Sequence, residues 1–195
     1  MGENELFVQL RVVGIAGSLR EGSYNRGLLV SARELAPAGM TINIHDIADI
    51  PLYNEDVENA GVPGSVARLR AAVAEADGLL IATPEYNHGV PGVMKNTIDW
   101  LSRPPRASVL NGKPAAIMGA SQGAIGTARS QSQLRQAFVF TNTPAMLQPE
   151  VLVANARAKF DASGRLIDAA TREFLAGFLN QFVQWMTRFL PAADR

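Results

Sequence analysis

The sequence predicts a doubly wound α/β domain with three layers, in which helices cover both faces of a five-stranded parallel sheet. Short runs rich in β-branched residues alternate with longer amphipathic segments along the chain of 195 residues. Several of the short runs are apolar throughout, which is typical of strands buried on both faces. Strict alternation of strands and helices implies parallel pairing through right-handed crossovers. No linker or repeat interrupts this pattern, so we expect a single domain over residues 1–195.

The first half of the chain shows how the elements are assigned. LRVVGIA (10–16) predicts a buried strand, and the helical pattern over 26–36 ends at Pro37-Ala38-Gly39. MTINIHDI (40–47) alternates like a strand, whereas residues 64–76 place apolar side chains at helical intervals. The remaining predicted elements are strand 78–83, helix 92–102, strand 114–120, helix 126–140, strand 149–155 and helix 169–190.

An aromatic stripe marks the last predicted helix. Its members near one face are Phe174, Phe178, Phe182, Met186 and Phe189. A cofactor site or a membrane-surface helix would show such a stripe, but spacing by three and four residues is also what packing on a sheet requires. We therefore expect a core helix.

Composition excludes several classes of function. The formal net charge is zero, which disfavours a nucleic-acid or anionic-membrane partner. The chain has no cysteine, so disulfides, thiolate catalysis and cysteine-based metal sites are excluded. The N-terminus is acidic before it is apolar, unlike a signal peptide, and no apolar run approaches the ~18 residues of a membrane span. A cytoplasmic protein is the expectation.

Ligands of doubly wound sheets bind beyond the carboxyl ends of the strands, so the loops after the first, third and fourth strands carry the candidate site. The first loop, GSLREGSYNR (17–26), leads into a helix whose N-terminal N–H groups suit an anion. Ser18, Ser23 and Asn25 add side-chain donors, and Arg20 adds a positive charge, so a phosphate monoester fits. An ordinary helix cap by Ser23 or Asn25 is the alternative. Neither GxxxxGK[ST] nor GxGxxG occurs in the chain.

The second loop, TPEYNHGVPG (83–92), follows the third predicted strand and is stiffened by Pro84 and Pro91. Its polar side chains are Glu85, Tyr86, Asn87 and His88. A rigid loop with backbone amides and flat polar side chains can line a planar heterocycle. A lone loop histidine is more often hydrogen-bonded or solvated than catalytic, so His88 is assigned no role.

The third loop, GASQGAIG (119–126), offers Ser121 and Gln122 and also matches the G-x-S-x-G pattern of a hydrolase nucleophile. The hydrolase interpretation lacks a suitable histidine. In α/β-hydrolases the histidine follows the serine along the chain, whereas His45 and His88 both precede Ser121. Triads occur in other chain orders, so this objection is strong rather than absolute.

Taken together, the loops resemble those of the NADPH-dependent FMN reductase family, and most closely its bacterial chromate and quinone reductases. The matching segments are GSLREGSYNR (17–26), DIPLYNED (49–56), TPEYNHGVPGVMKNTIDWLSRP (83–104) and GASQGAIGTARSQSQLRQ (119–136). The resemblance implies a flavodoxin-like fold, non-covalently bound FMN, and NADPH or NADH as co-substrate. It implies neither a metal nor a catalytic side chain, because flavin carries the redox chemistry.

By the same resemblance, each loop approaches one part of FMN. Ser18, Arg20, Ser23 and Asn25 would hold the phosphate with Gly17, Leu19 and Arg26 close by, Pro84, Glu85, Tyr86 and Asn87 would border the isoalloxazine, and Ser121 and Gln122 would approach its pyrimidine side. Ala124 departs from the family pattern, since many members carry glycine there.

The resemblance also implies partners and an activity. Electrons would pass from the nicotinamide to a small-molecule acceptor, namely quinones or chromate, azo compounds, flavin or ferric chelates. The alternatives are a flavodoxin-type electron carrier, which the neutral charge disfavours, and a flavin-binding sensor. Family members form homodimers and homotetramers, and the segment after Gly123 and helix 92–102 are the expected contact surfaces. That helix has surplus apolar residues: Val93, Met94, Ile98, Trp100 and Leu101.

Overall fold

A five-stranded parallel sheet forms the centre of the computed structural model, which describes residues 9–190. The strands are β1 (Leu10–Ala16), β2 (Met40–His45), β3 (Gly78–Ala82), β4 (Ala115–Ala120) and β5 (Val151–Val153). Their order in the sheet is β2-β1-β3-β4-β5. This is the flavodoxin-like doubly wound order, so the predicted fold class is confirmed. The order reverses between β1 and β3, and the loops after these strands diverge there.

Helices cover both faces of this sheet. They are α1 (Tyr24–Glu34), α2 (Glu55–Ala60), α3 (Gly64–Glu75), α4 (Gly92–Leu101), α5 (Ala128–Thr141) and α6 (Ala169–Thr187). Five of the six lie where the sequence predicts a helix, with ends shifted by a few residues. The short helix α2 was not predicted. It buries no residue, and its sequence shows no apolar periodicity. Its cap residue is Asn54, whose side-chain oxygen accepts a hydrogen bond from the backbone N–H of Asp56 at 2.9 Å.

The core has two parts, one on each face of the sheet. On one face, Leu28 of α1 and Phe178 of α6 pack against β-strand residues such as Val12. On the other face, α3, α4 and α5 pack against the alternate strand residues, with Ile98 and Phe138 among the buried side chains. Successive strand residues point to opposite faces, which is why both cores draw on the same short runs.

The aromatic stripe of α6 is only partly buried. Phe178, Phe182 and Met186 are in the core as expected, but Phe174 is 48 % and Phe189 is 43 % exposed. At 3.6 residues per turn Phe174 lies about 100° from the centre of the buried face, and Phe189 lies beyond the end of the helix. Leu175 and Leu179 complete the buried face instead.

The expectation that α4 has surplus apolar surface is wrong, because the chain itself buries most of the apolar side chains of this helix. Met94, Ile98, Trp100 and Leu101 are each 2 % exposed or less. The indole N–H of Trp100 donates to the carbonyl oxygen of Pro51 at 2.8 Å, and its ring meets that of Tyr53 edge-on at 5.0 Å. The segment that follows β2 therefore packs over α4, and these four side chains offer almost no apolar surface to another chain.

Within residues 9–190, no helix is long and apolar enough to cross a membrane. The expectations that concern the first eight residues, including the absence of a signal peptide, lie outside the described residues.

Candidate functional site

A cavity of about 240 Å³ opens at the carboxyl ends of β1, β3 and β4. It is lined by Ser18, Arg20, Ser23, Tyr24, Asn25, Pro84, Glu85, Tyr86, Ala120, Ser121 and Gln122. Except for Tyr24 and Ala120, all of these residues were expected from the sequence to form the site. This switch-point cavity thus brings together three loops that are far apart in the chain.

The loop after β1 offers the cavity hydrogen-bond donors without partners. None of the backbone N–H groups of residues 18–22 donates to another residue in the described part of the chain. The guanidinium of Arg20 has no carboxylate within 4.0 Å among residues 9–190, and it lies 5.4 Å from the centre of the Tyr24 ring. Ser23 caps α1, since its hydroxyl oxygen accepts from the backbone N–H of Arg26 at 3.3 Å. Capping therefore accounts for Ser23 but not for the other donors.

Asn25 ties the start of α1 to the end of β4. Its side-chain amide donates to the carbonyl oxygen of Ala120 at 2.9 Å and accepts from the backbone N–H of the same residue at 2.9 Å. The side chain is buried, and one amide hydrogen remains for a ligand. Sequence reasoning missed this structural bond because the two residues are 95 positions apart.

The loop after β3 forms a tight hairpin. Tyr86 and Gly89 exchange two backbone hydrogen bonds of 3.1 and 2.9 Å around Asn87 and His88. Both central residues are left-handed, with φ of 51° and 62°, as a type I′ turn requires. Asn87 therefore stands exposed at the hairpin tip, outside the cavity. The hydroxyl of Tyr86 donates to the Ser18 hydroxyl at 3.3 Å, so this half-exposed side chain spans the cavity mouth.

In the loop after β4, the Ser121 hydroxyl is hydrogen-bonded within the loop and is not paired with a general base among residues 9–190. The Ser121 hydroxyl oxygen accepts from the backbone N–H of Gly123 at 3.2 Å, and the Ser121 backbone N–H donates to Val153 at 2.9 Å. Across the described residues, no hydrogen bond joins Ser121 to a histidine. This arrangement gives no support to the hydrolase alternative.

Four expected residues do not line the cavity. Gly17 continues the sheet by donating to Ala82 at 2.9 Å, and Leu19 is half-exposed. Arg26 lines a neighbouring groove of about 310 Å³ on the other side of α1. Asn87 occupies the hairpin tip. For Leu19, Arg26 and Asn87 the physical reason is the direction in which the side chain leaves the backbone, which loop position alone does not reveal. Gly17 has no side chain, and its backbone N–H is used by the sheet.

The donor set of the switch-point cavity fits FMN. Free backbone N–H groups in the loop that leads into α1, and an arginine that forms no ion pair among residues 9–190, suit a phosphate dianion. Pro84, Tyr86 and Gln122 line the same cavity, where a flat ring with polar edges would meet them. Within the described part of the chain, no cluster of three or more His, Asp and Glu residues could hold a metal ion.

An open parallel sheet with a donor-rich loop at its switch point defines the class of α/β proteins that bind nucleotide cofactors. Residues 10–158 match the family described as NADPH-dependent FMN reductase. The chain belongs to this family. It is therefore an oxidoreductase that works with FMN and NAD(P)H, and the family resemblance seen in the sequence is confirmed.

Individual relatives agree with this assignment. The chain is 50% identical over 179 residues to the NAD(P)H-dependent FMN reductase of Pseudomonas aeruginosa, with 92% of this chain and 96% of that protein covered. It is 44% identical over 183 residues to the quinone reductase of Escherichia coli, covering 92% and 97% of the two chains. A solved structure, the flavoenzyme NAD(P)H:(acceptor) oxidoreductase of Paracoccus denitrificans, superposes with a TM-score of 0.85 at 37% identity, covering 92% and 98%.

Proposed function

We propose that this protein transfers electrons from NAD(P)H to quinones through FMN held in the switch-point cavity. The observation that carries the proposal is the convergence of the three loops on one cavity with unpaired donors at one end. Bound FMN accepts a hydride and passes the electrons on, so the chain itself has to bind and orient it. The similarity to the quinone reductase of Escherichia coli supports a quinone acceptor.

The phosphate end of the proposed site is the loop after β1. The N–H groups of residues 18–22, the Ser18 hydroxyl and the Arg20 guanidinium would donate to phosphate oxygens. Charge-assisted bonds of this kind are stronger than neutral ones. Ser23 and Asn25 would contribute mainly by shaping the loop, because their side chains already cap α1 and bind Ala120.

The ring end of the proposed site lies between the other two loops. Pro84 and Tyr86 would form an apolar wall, and the backbone N–H of Glu85, which has no partner among the described residues, would donate to the ring edge. Ser121 and Gln122 would approach the pyrimidine side. The remaining face is open, so the nicotinamide and the acceptor can use it in turn. An open face also accommodates chromate, azo compounds, flavin and ferric chelates as acceptors.

Anaerobic spectroscopy tests this proposal. The purified protein loaded with FMN should be yellow, should bleach when NADPH or NADH is added, and should regain its colour when benzoquinone follows. A flavodoxin-type carrier would stay yellow with nicotinamide, and a sensor would bleach without turning over the quinone. Either result would overturn the proposed activity while leaving FMN binding intact.

We also propose that the protein is a homodimer or homotetramer. The surface that supports this proposal lies on α5 and not on α4. Val139 and Phe140 of α5 are 83 % and 82 % exposed, and Leu147 nearby is 66 % exposed. Val139 and Leu147 border an apolar groove of about 420 Å³, and Phe140 follows Val139 on α5. Exposed apolar clusters on this scale commonly mark protein contacts. Light scattering at micromolar concentration should give a multiple of the chain mass of 20.9 kDa, and Val139→Ser with Phe140→Ser should lower it. A monomeric wild type would refute the proposal.

The proposed acceptor is a small molecule, and neither a nucleic acid nor a membrane is proposed as a partner. The proposed location is the cytoplasm, which holds the reduced nicotinamide pool. Fractionation of cells that express the protein would test the location.

A further inference from the structure

Glu85 lines the switch-point cavity, but its carboxylate is turned to α5. One carboxylate oxygen accepts from the backbone N–H groups of Arg129 at 3.0 Å and Ser130 at 3.2 Å. The other lies 3.6 Å from the guanidinium of Arg129. The Glu85 side chain is only 8 % exposed. This acidic group is thus nearly buried at the cavity wall with its hydrogen bonds directed into the protein.

The first turn of α5 needs such a partner. Thr127 stands at the cap position but makes no side-chain capping bond. Glu85, 44 positions before Arg129 in the chain, supplies the missing acceptor. A carboxylate is favoured at a helix N-terminus by the free N–H groups and by the helix dipole. The same bonds offset the cost of burying its negative charge.

The hairpin that contains Glu85 is fastened to α5 at further points. The side-chain oxygen of Gln133 accepts from the backbone N–H of Val90 at 3.1 Å. The hydroxyls of Thr83 and Ser130 lie 3.2 Å apart, within hydrogen-bond distance. These bonds hold the two ends of the hairpin, and Glu85 holds the arm next to Tyr86. Without Glu85, the arm between Thr83 and Val90 would keep only neutral bonds to α5.

We propose that Glu85 is a positioning residue. Its carboxylate clamps the hairpin to α5 and so holds Pro84 and Tyr86 in the wall of the switch-point cavity, without touching the flavin. This inference rests on the proposed placement of FMN. The family resemblance implies that Glu85 borders the isoalloxazine. Under this inference only the backbone of Glu85 would face the ring, because its side chain is bound to α5.

Three variants separate the clamp from other roles. Glu85→Ala removes all its bonds to α5. Glu85→Gln keeps one neutral acceptor and should restore part of the effect. Arg129→Ala is the matched control, because it removes the exposed guanidinium but leaves the backbone N–H that Glu85 binds. The guanidinium is 43 % exposed and lies 3.6 Å from the carboxylate, so this long, half-exposed ion pair contributes little and the control should behave nearly as wild type.

Hydrogen exchange on the FMN-free protein measures the clamp directly. In Glu85→Ala the amides of Arg129 and Ser130 and those of the hairpin should exchange at least about tenfold faster, while amides of β1 and β3 should not change. Unchanged exchange at Arg129 and Ser130 would overturn the clamp. An equal effect in Arg129→Ala would show that the ion pair acts instead, and would overturn it too. If the alanine variant does not fold, the glutamine variant carries the same comparison.

Flavin binding and kinetics then test positioning. Glu85→Ala should bind FMN about 10- to 100-fold more weakly, shift the visible flavin absorption, and raise KM for quinone more than it lowers kcat with FMN saturating. Faster exchange with wild-type flavin affinity, spectrum and KM would overturn the positioning role. If the wild type binds no FMN, the proposed function fails, whereas the exchange experiment still decides whether Glu85 clamps the hairpin.

Discussion

Replacing Ser18 and Arg20 together with alanine should weaken FMN binding without unfolding the protein. Arg20 forms no ion pair within residues 9–190, and the Ser18 hydroxyl is bonded only to the exposed side chain of Tyr86. The fold therefore loses little. Each bond to a phosphate oxygen contributes roughly 1.5–3 kcal/mol, so losing two costs about 3–6 kcal/mol. At ~1.4 kcal/mol per tenfold, the affinity should fall at least ~100-fold.

Quenching of flavin fluorescence on titration of the FMN-free protein gives this affinity. Riboflavin lacks the phosphate and should bind the wild type and the double variant about equally. Arg26→Ala is the matched control, because Arg26 lies in the first turn of α1, directly after the loop, but lines a different groove. It should leave FMN affinity nearly unchanged. The Ser121→Ala variant should also remain yellow and substantially active. This result is expected because Ser121 would only contact the flavin and would not act as a nucleophile.

The double variant should purify pale and regain most of its activity when excess FMN is added. The backbone N–H groups of residues 18–22 remain in it, so weakened rather than abolished binding is the expected result. If its FMN affinity equals that of the wild type, the loop only caps α1 and the phosphate assignment is wrong. An equal loss of riboflavin affinity would instead place the loop against the ring.

Steady-state kinetics should give parallel double-reciprocal lines, because both substrates would use one flavin face in turn; intersecting lines would indicate a ternary complex and separate sites. Acid should remove part of the stability of α6. Hydrogen bonds from Thr171 lower the pKa of Asp168 from its ordinary 3.8, so the stability they contribute is present above that value and is lost as the pH falls through the folded-state pKa. Thermal melts of Asp168→Ala should lie below wild type at neutral pH, and the gap should close below pH 3.8; a constant gap would contradict the linkage. Gly119→Ala would push a methyl group onto the carbonyl oxygen of Thr83, and overpacking of about 1–3 kcal/mol should lower Tm by about 2–12 °C. Gly177→Ala, which meets open space on α6, should raise Tm slightly, and equal melts for the two glycine variants would refute the packing argument.

Local patterns were sufficient for the elements of the sheet. The buried runs at β1, β3 and β4 are apolar throughout because helices cover both faces, and that property is visible in the sequence. The helix α2 shows the limit of such reasoning. It buries nothing, so its formation depends on a cap at Asn54 rather than on an apolar face. The sequence therefore shows no apolar periodicity that would predict this helix.

The composition of the three loops also pointed to one site, since parallel strands place their carboxyl ends at one edge. What each side chain does within that site was not predictable in the same way. Glu85 and Asn87 are two positions apart in one loop, yet one is nearly buried against α5 and the other stands at an exposed hairpin tip. The type I′ turn places Asn87 at its tip, whereas Glu85 lies before the turn in the arm that is bound to α5.

By itself the sequence determined the order of strands and helices, the polar inventory of the loops and the family to which the chain belongs. These depend on neighbours in the chain and on short motifs. Only the tertiary structure decided that Asn25 binds Ala120, that Glu85 caps α5, and that the segment after β2 covers Trp100. The partners in these contacts are 95, 44 and 49 positions apart. Such pairs meet only when the sheet has formed, because packing geometry, and not local preference, selects which distant polar groups satisfy one another.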